Sequence, residues 1–248
     1  MDLGLSGKRA AVAAASAGLG YASAEALVAD GVRVAICGRD RARVEAAAAR
    51  LGEGAVAVVA DVGTPEGATG FVGEATDALG GLDILVTNAG GPPVGTFATT
   101  KVDDYPSALG LNLMSVVAMC HAAVPSMQAQ GWGRVVAITS ISVRQPIANL
   151  ILSNTARAGA TGFLKTIARE VAGDGVTVNS VQPGLHLTDR FKGLAGDAPD
   201  AKALGIPAGF IGHADDFGKV VAFLCSEPAR FVTGAHLQVD GGSYMGLL

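Results

Sequence analysis

Val12 to Gly20 read Val-Ala-Ala-Ala-Ser-Ala-Gly-Leu-Gly, an apolar run that turns through small residues into helix formers. A strand, a tight turn and a helix in that order aim backbone N–H groups and the positive end of a helix dipole at one point. A pyrophosphate can sit there. Ala14, Ser16, Ala17, Gly18, Leu19 and Gly20 would cradle it, and the two glycines let the backbone come close. A complete dinucleotide fingerprint has another glycine where Ala14 stands, so a turn with no ligand is the competing reading. At the end of the second strand-like run, an acidic residue would bind a ribose 2′-hydroxyl; the chain has Cys37-Gly38-Arg39 instead. Arg39 can pair with a 2′-phosphate, which points to NADP(H) over NAD(H), unless it pairs with Asp40 or Glu45. Asp61-Val62 follows the third run, its carboxylate placed either to accept from an adenine amino group or to cap a helix. Asn88 in Asn88-Ala89-Gly90 can pin neighbouring strands, while Ala89 and Gly90 leave room for a ribose.

These residues need a scaffold that carries separate chain segments to one edge. Strands are expected at Ala10–Ala13, Val32–Cys37, Ala55–Ala60, Leu82–Thr87, Arg134–Thr139, Val176–Val181 and His236–Val239. Helices are expected at Ala22–Asp30, Arg41–Leu51, Glu66–Leu79, Val102–Gln130, Ile151–Ala172 and Ala214–Ser226. Near-continuous apolar strands with helical crossovers predict an α/β fold: one doubly wound, Rossmann-like parallel sheet with helices on both faces. Its ligand belongs at the carboxyl ends of the strands. No linker divides residues 1–248, so one domain is expected, with a lid around 185–212.

A net charge of −4 with 16% charged residues argues against a nucleic-acid surface or a polybasic membrane anchor. The mean hydropathy of +0.41 comes from alanine, valine and leucine spread along the chain, with no continuous apolar span expected to cross a bilayer. Leu111 to Met127 is interrupted by Asn112, His121 and Pro125 and reads as a helix buried in the protein or at a subunit contact. The start, Met1-Asp2-Leu3, has no basic and apolar signal pattern. Cys37, Cys120 and Cys225 each lie in an apolar run, as free thiols of a cytoplasmic, reducing compartment would. The histidines show no metal-ligand spacing, and no metal is expected.

The Ala14-x-x-x-Gly18-x-Gly20 turn, Asp61-Val62, Asn88-Ala89-Gly90, Asn112, Ile138-Thr139-Ser140, Asn179, Pro183-Gly184 with Thr188, and Asp240-Gly241-Gly242 occur in this order. With these motifs the chain resembles the short-chain dehydrogenase/reductase family from end to end, above all its ketoacyl-carrier-protein reductases. The resemblance implies a Ser, a Tyr and a Lys doing the chemistry with an Asn in support. The Tyr would exchange a proton at the substrate oxygen; the Lys would lower its pKa and bind the nicotinamide ribose. Ser140 matches the serine and Asn112 the asparagine. Pro183, Gly184 and Thr188 match the nicotinamide-contacting segment, with Thr188 reaching the carboxamide. The family also implies a homo-dimer or homo-tetramer, built through the helices Val102–Gln130 and Ile151–Ala172 and through the C-terminal strand.

The chain departs from this pattern at the centre of the chemistry. Thirteen residues after Ser140, where the Tyr belongs, stands Ser153, and four further on, where the Lys belongs, stands Arg157. No shift of register recovers a phenol, since the tyrosines are Tyr21, Tyr105 and Tyr244. A serine hydroxyl ends roughly 4 Å short of a tyrosine hydroxyl, more than one hydrogen-bond length. Arg157 can hold ribose hydroxyls but cannot deprotonate. Losing a general acid costs about 10²- to 10⁴-fold, so another proton source is needed: a water beside Ser153, or His186, oriented by Asp189 or Arg190. A serine-hydrolase reading of Ser140, His186 and Asp189 lacks the Gly-x-Ser-x-Gly elbow.

The lid residues Leu185, Leu187, Phe191, Leu194, Ile206, Phe210 and Ile211, with the rim Gly91-Pro92-Pro93-Val94, favour a mostly apolar substrate bearing a carbonyl. Arg144 and Gln145 are the polar groups expected to touch it. Three readings compete: an NADP(H)-dependent oxidoreductase with a replaced proton donor; a non-redox cyclase, isomerase or dehydratase; and a nucleotide-binding protein without catalysis, its cofactor site a relic.

Overall fold

Runs of alanine, valine and isoleucine without polar alternation form strands covered on both faces. In a computed structural model that describes residues 2–189, 191 and 200–247, they assemble one sheet. The chain lays down β1 (Arg9–Val12), α1 (Gly18–Ala29), β2 (Arg33–Gly38), α2 (Arg41–Leu51), β3 (Val56–Val59), α3 (Pro65–Leu79) and β4 (Ile84–Thr87). There follow α4 (Tyr105–Leu109), α5 (Ser115–Ala129), β5 (Gly133–Ile138), α6 (Ile151–Val171) and β6 (Val176–Pro183). Last come the short β7 (His186–Leu187) and β8 (Gly212–His213), then α7 (Ala214–Cys225) and β9 (His236–Val239). The seven long strands run parallel in the order β3-β2-β1-β4-β5-β6-β9. The order reverses between β1 and β4, which opens a crevice at their carboxyl ends. The expected lid residues Arg190 and Leu194 lie outside the described residues.

Each face of the sheet has its own core. Phe71, Met119, Met127 and Leu164 from α3, α5 and α6 fill one. Leu27, Val44, Phe217 and Leu224 from α1, α2 and α7 fill the other. Burying the side chains of Phe71 and Phe217 contributes about 2–3 kcal/mol each. Local chemistry sets the helix ends. Asp40 caps α2 by accepting from the Arg43 N–H at 3.0 Å, and Thr64 caps α3 by accepting from the Gly67 N–H at 3.1 Å. Asp61 is therefore no helix cap; it closes a turn before α3, its Oδ1 accepting from the Gly63 N–H at 2.9 Å.

Two expectations are revised. The single helix Val102–Gln130 is a 3₁₀ turn, α4, a π-helical turn at Gly110–Met114 and then α5. The wide turn rotates Asn112 inward, where it is buried; such π-turns recur at functional positions. The segment Val102–Ala129, 28 residues at a hydropathy of 1.6, is also long and apolar enough to cross a bilayer by length and composition. Here α5 lays Met119, Cys120, Ala123 and Met127 inside the protein. The pairing of β7 with β8 was not legible in the sequence; it ties together the two ends of the lid.

Asn179, fully buried on β6, donates from Nδ2 to Val232 O at 2.8 Å and accepts from the Ala235 N–H at 3.0 Å, holding the approach to β9. Asn179→Ala leaves both backbone groups unpaired and should cost about 2–4 kcal/mol in urea unfolding; a loss below 1 kcal/mol would remove this clamp from the fold's support.

Candidate functional site

The small-residue turn after β1 is held from three sides. Ala13 N–H donates to Val86 O at 2.9 Å, Ala15 N–H to Cys37 O at 2.9 Å, and Ala14 N–H to the Cys37 sulfur at 3.3 Å. Burial pushes the Cys37 thiol up to about 12, so its sulfur serves as an acceptor and not as a nucleophile. Asn88 Nδ2 donates to Ala14 O at 3.2 Å, which is the pinning expected of it. Among the described residues Ala14 is the non-glycine residue with positive φ, +47°, at the place where the fingerprint has a glycine. Gly20 faces this clamp: a Cβ there would stand 2.8 Å from both Ala14 O and Asn88 Nδ2. No side chain caps α1 at Ala17, so its first N–H groups open on a cleft of about 780 Å³. An uncapped helix end aimed into a roomy cleft fits a pyrophosphate.

At the β2 end of the cleft, Arg39 is largely exposed, and its guanidinium lies 3.9 Å from the Asp61 carboxylate. The alternatives weighed for it fall away, since Asp40 caps α2 and Glu45 pairs with Arg41 at 3.2 Å. Arg43, in the first turn of α2, lines the same end with Ser16 and Gly38. It was missed in the sequence; its signal is a second arginine four residues after Arg39, turned back by the Asp40 cap. Val62, Gly90, Pro183 and Thr188 line the cleft as expected, and Asp189 stands among them. Gly184 packs its backbone against Asp240 and is not part of the lining.

Arg157 reaches the opposite end of the cleft from α6. It is 9% exposed, and its Nη1 donates to Ile138 O and Thr139 O, both at 3.1 Å, at the carboxyl end of β5. Ser153, one turn earlier, is buried. Ser140 begins a 3₁₀ turn, its Oγ accepting from the Ser142 N–H at 3.1 Å. Asn112 Nδ2 donates to Gly90 O at 2.9 Å, while its buried Oδ1 has no partner among the described residues. Neither Ser140, Ser153 nor Asn112 lines the cleft itself; Ser140 follows the lining Thr139, Ser153 lies one turn before the lining Arg157, and Asn112 bonds the lining Gly90.

His186 is elsewhere. It lines a second, smaller cavity with its ring edge-on to Phe217, so the expectation that it supplies a proton in the cleft is not met by its position. Ile206, Ile211, Leu187 and Phe191 pack with Ala201 into a cluster of their own and are not part of the cleft lining. Gln145 Oε1 accepts from the Met245 N–H at 3.1 Å, and Arg144 lies 5.9 Å from the Tyr244 ring, so both engage the C-terminal segment.

Comparison with known proteins agrees with this geometry. Residues 13–244 match the model of the enoyl-(acyl carrier protein) reductase family. The 3-oxoacyl-[acyl-carrier-protein] reductase FabG of Vibrio cholerae is 35% identical over 243 residues, 98% of this chain and all of that protein. The chain belongs to the short-chain dehydrogenase/reductase family. Nodulation protein G of Azospirillum brasilense is also 35% identical, across 96% of this chain and 98% of its own length. The L-sorbose reductase of Gluconobacter frateurii, solved with NADPH and L-sorbose, superposes with a TM-score of 0.92 at 32% identity over the whole of both chains. This family of NAD(P)-dependent oxidoreductases accounts for the uncapped helix end and for the place where the sheet order reverses.

Two outcomes follow from the site's mechanics. Ala14→Gly relieves a left-handed alanine and should leave thermal stability equal or higher, within about 1 kcal/mol, whereas Gly20→Ala should cost more than about 2 kcal/mol. Burial, offset in part by Gly184 O, Asp216 and Asp240, holds His186 below its ordinary 6.5, and burial does the same to His236. Below pH 6.5 the unfolded chain binds protons that the folded chain does not, so stability present above that pH falls as the pH drops. Denaturation at pH 7.5 and 5.5 should show this loss, and His186→Gln should shrink it; an unchanged difference would clear His186 of the effect.

Proposed function

We propose that this protein is an NADP(H)-dependent oxidoreductase acting on a carbonyl or alcohol of a mostly apolar small molecule, with Ser153 and Arg157 in place of a tyrosine and a lysine. The observation that carries the reading is the continuity of one cleft from Arg39 and Arg43, past the uncapped start of α1, to the buried Arg157. When bound, the nicotinamide cofactor supplies or takes a hydride. The chain's own residues do the rest. The α1 N–H groups face the pyrophosphate, and Arg39, Arg43 and Ser16 surround a 2′-phosphate. Asp61 and Val62 flank the adenine, and Pro183 and Thr188 bound the nicotinamide end. Arg157 holds the ribose side and brings a fixed positive charge under the reacting oxygen. Ser140, next to the cleft-lining Thr139, and Ser153, one turn before Arg157, are the hydroxyls that would hold a water in place of the missing phenol.

A second reading, non-redox chemistry in the same pocket, draws on one observation. Among the described residues lining the cleft there is no Tyr, Lys or His, the side chains that a reductase proton transfer would draw on. The apolar substrate class rests on the exposed Val94 at the rim, since most of the lid's apolar residues are occupied with one another. We further propose a homo-dimer or homo-tetramer, supported by exposed Val102 and Met114 along the α4–α5 segment and Leu237 on the edge strand β9. The buried thiols suit a reducing, cytoplasmic setting.

Calorimetric titration with NADPH, NADP⁺, NADH and NAD⁺ tests the reading. Micromolar binding of the phosphorylated pair is expected, with Arg39→Ala and Arg43→Ala each weakening NADPH by about tenfold and NADH by less than twofold. Absence of binding by all four would sink the oxidoreductase and leave a relic site. With a substrate in hand, Ser140→Ala should lower the rate at least about tenfold. Turnover without a change in nicotinamide absorbance would select the non-redox enzyme.

A further inference from the structure

Outside the cleft, a cavity of about 200 Å³ lies between β7, β8, the start of α7 and the turn after β9. Leu185, Ile206, Phe210 and Val239 give it apolar walls, and its polar groups are two histidines and two aspartates. His186 is the informative one. It is only 6% exposed, its ring meets Phe217 edge-to-face at 5.1 Å, and its Nδ1 lies 3.3 Å from Gly184 O. A carbonyl oxygen can only accept, so Nδ1 carries the proton and the neutral ring presents a bare lone pair on Nε2. Nε2 has no hydrogen-bond partner among the described residues. It faces Gly212, where an added Cβ would stand 2.8 Å away.

Two carboxylates line the cavity, one of them paired with a lysine outside the lining. Asp240 accepts from the Gly242 and Tyr244 N–H groups at 3.0 and 2.7 Å and has no ion pair among the described residues. Asp216, on α7, has one oxygen 3.2 Å from Lys219 Nζ, and both carboxylates lie close enough to act electrostatically on the imidazole. His213, from β8, is the remaining titratable group in the lining, and no Lys or Arg is part of it. The cavity thus offers an acceptor lone pair and two carboxylates over an apolar floor, a combination that repels anions and gives a neutral alcohol only one partner.

We propose that this cavity binds a small primary amine in its ammonium form, with the head between His186 Nε2, Asp216 and Asp240 and an apolar body against Leu185, Ile206 and Phe210. A body of about six or seven carbons suits a cavity of this size. The site is separate from the nucleotide cleft and does not depend on what that cleft binds.

Titration calorimetry at pH 7.5 with cyclohexylmethylamine, cyclohexylmethanol and cyclohexanecarboxylate, with and without saturating NADPH, tests this directly. The amine is expected to bind with millimolar or better affinity, the alcohol at least about tenfold more weakly and the carboxylate not measurably. NADPH should leave the amine's affinity unchanged. His186→Phe, which removes the lone pair, and Asp216→Asn, on an exposed side chain in the first turn of α7, should each weaken the amine by about fivefold or more. Equal affinity for the three probes, no amine binding, displacement by NADPH, or wild-type affinity in Asp216→Asn would each overturn the proposal.

Discussion

Everything at the carboxyl edge of the sheet depends on how the Ala14 peptide is gripped. Its N–H is taken by the Cys37 sulfur on β2 and its C=O by the Asn88 amide after β4. Between them the backbone is forced into the left-handed region at an alanine, at a cost of about 1–2 kcal/mol. The grip sets the direction in which α1 leaves the sheet, and so where its uncapped N–H groups point. It also explains why Gly20 tolerates no side chain: the amide that does the gripping occupies the space. The turn is a strained joint supported from β2, through Cys37, and from β4 and its end, through Val86 and Asn88.

The far end of the cleft is organised by a cation with no proton to give. Arg157 ties itself to the last two carbonyls of β5, in a buried position where a charge must be matched by acceptors. A lysine there could trade a proton with a neighbouring phenol; a guanidinium cannot. Its contribution is a fixed field and a fixed geometry. Acid–base work is left to hydroxyls and water, or the reaction is one that needs less of it. Asn112 Oδ1, turned inward by the π-turn beside Gly90, is a buried acceptor with no donor among the described residues.

Residues 185–189, 191 and 200–213 do two separate things. The β7–β8 pair staples them together, and Leu187, Phe191, Ala201, Ile206 and Ile211 form a small apolar cluster. The staple sets His186 in a smaller cavity, against Phe217 of α7, and not in the cleft. A residue between the cleft-lining Pro183 and Thr188 can therefore belong to a different cavity, because its direction is set by the pairing with β8 and not by local spacing.

Much of this was legible in order along the chain. Unbroken apolar strands spaced by helical runs specify a parallel sheet, and a parallel sheet with this strand order has its crevice at the β1–β4 reversal. Arg39, Asp61, Asn88 and the small-residue turn could be placed because each immediately follows a strand, so local spacing is enough. What periodicity could not supply was contact between distant segments. The pairing of Arg39 with Asp61, the convergence of Arg43 on the same corner and the Cys37 sulfur under Ala14 all join residues on different elements. The π-turn at Asn112 was likewise invisible, since one extra residue in a helical turn barely disturbs an apolar pattern. The direction of His186 was decided by β8, which arrives from beyond the lid. Sequence alone therefore determined which residues reach the edge of the sheet, because that follows from strand length and order. Tertiary structure alone decided which way their side chains face, because that depends on partners the local chain does not contain.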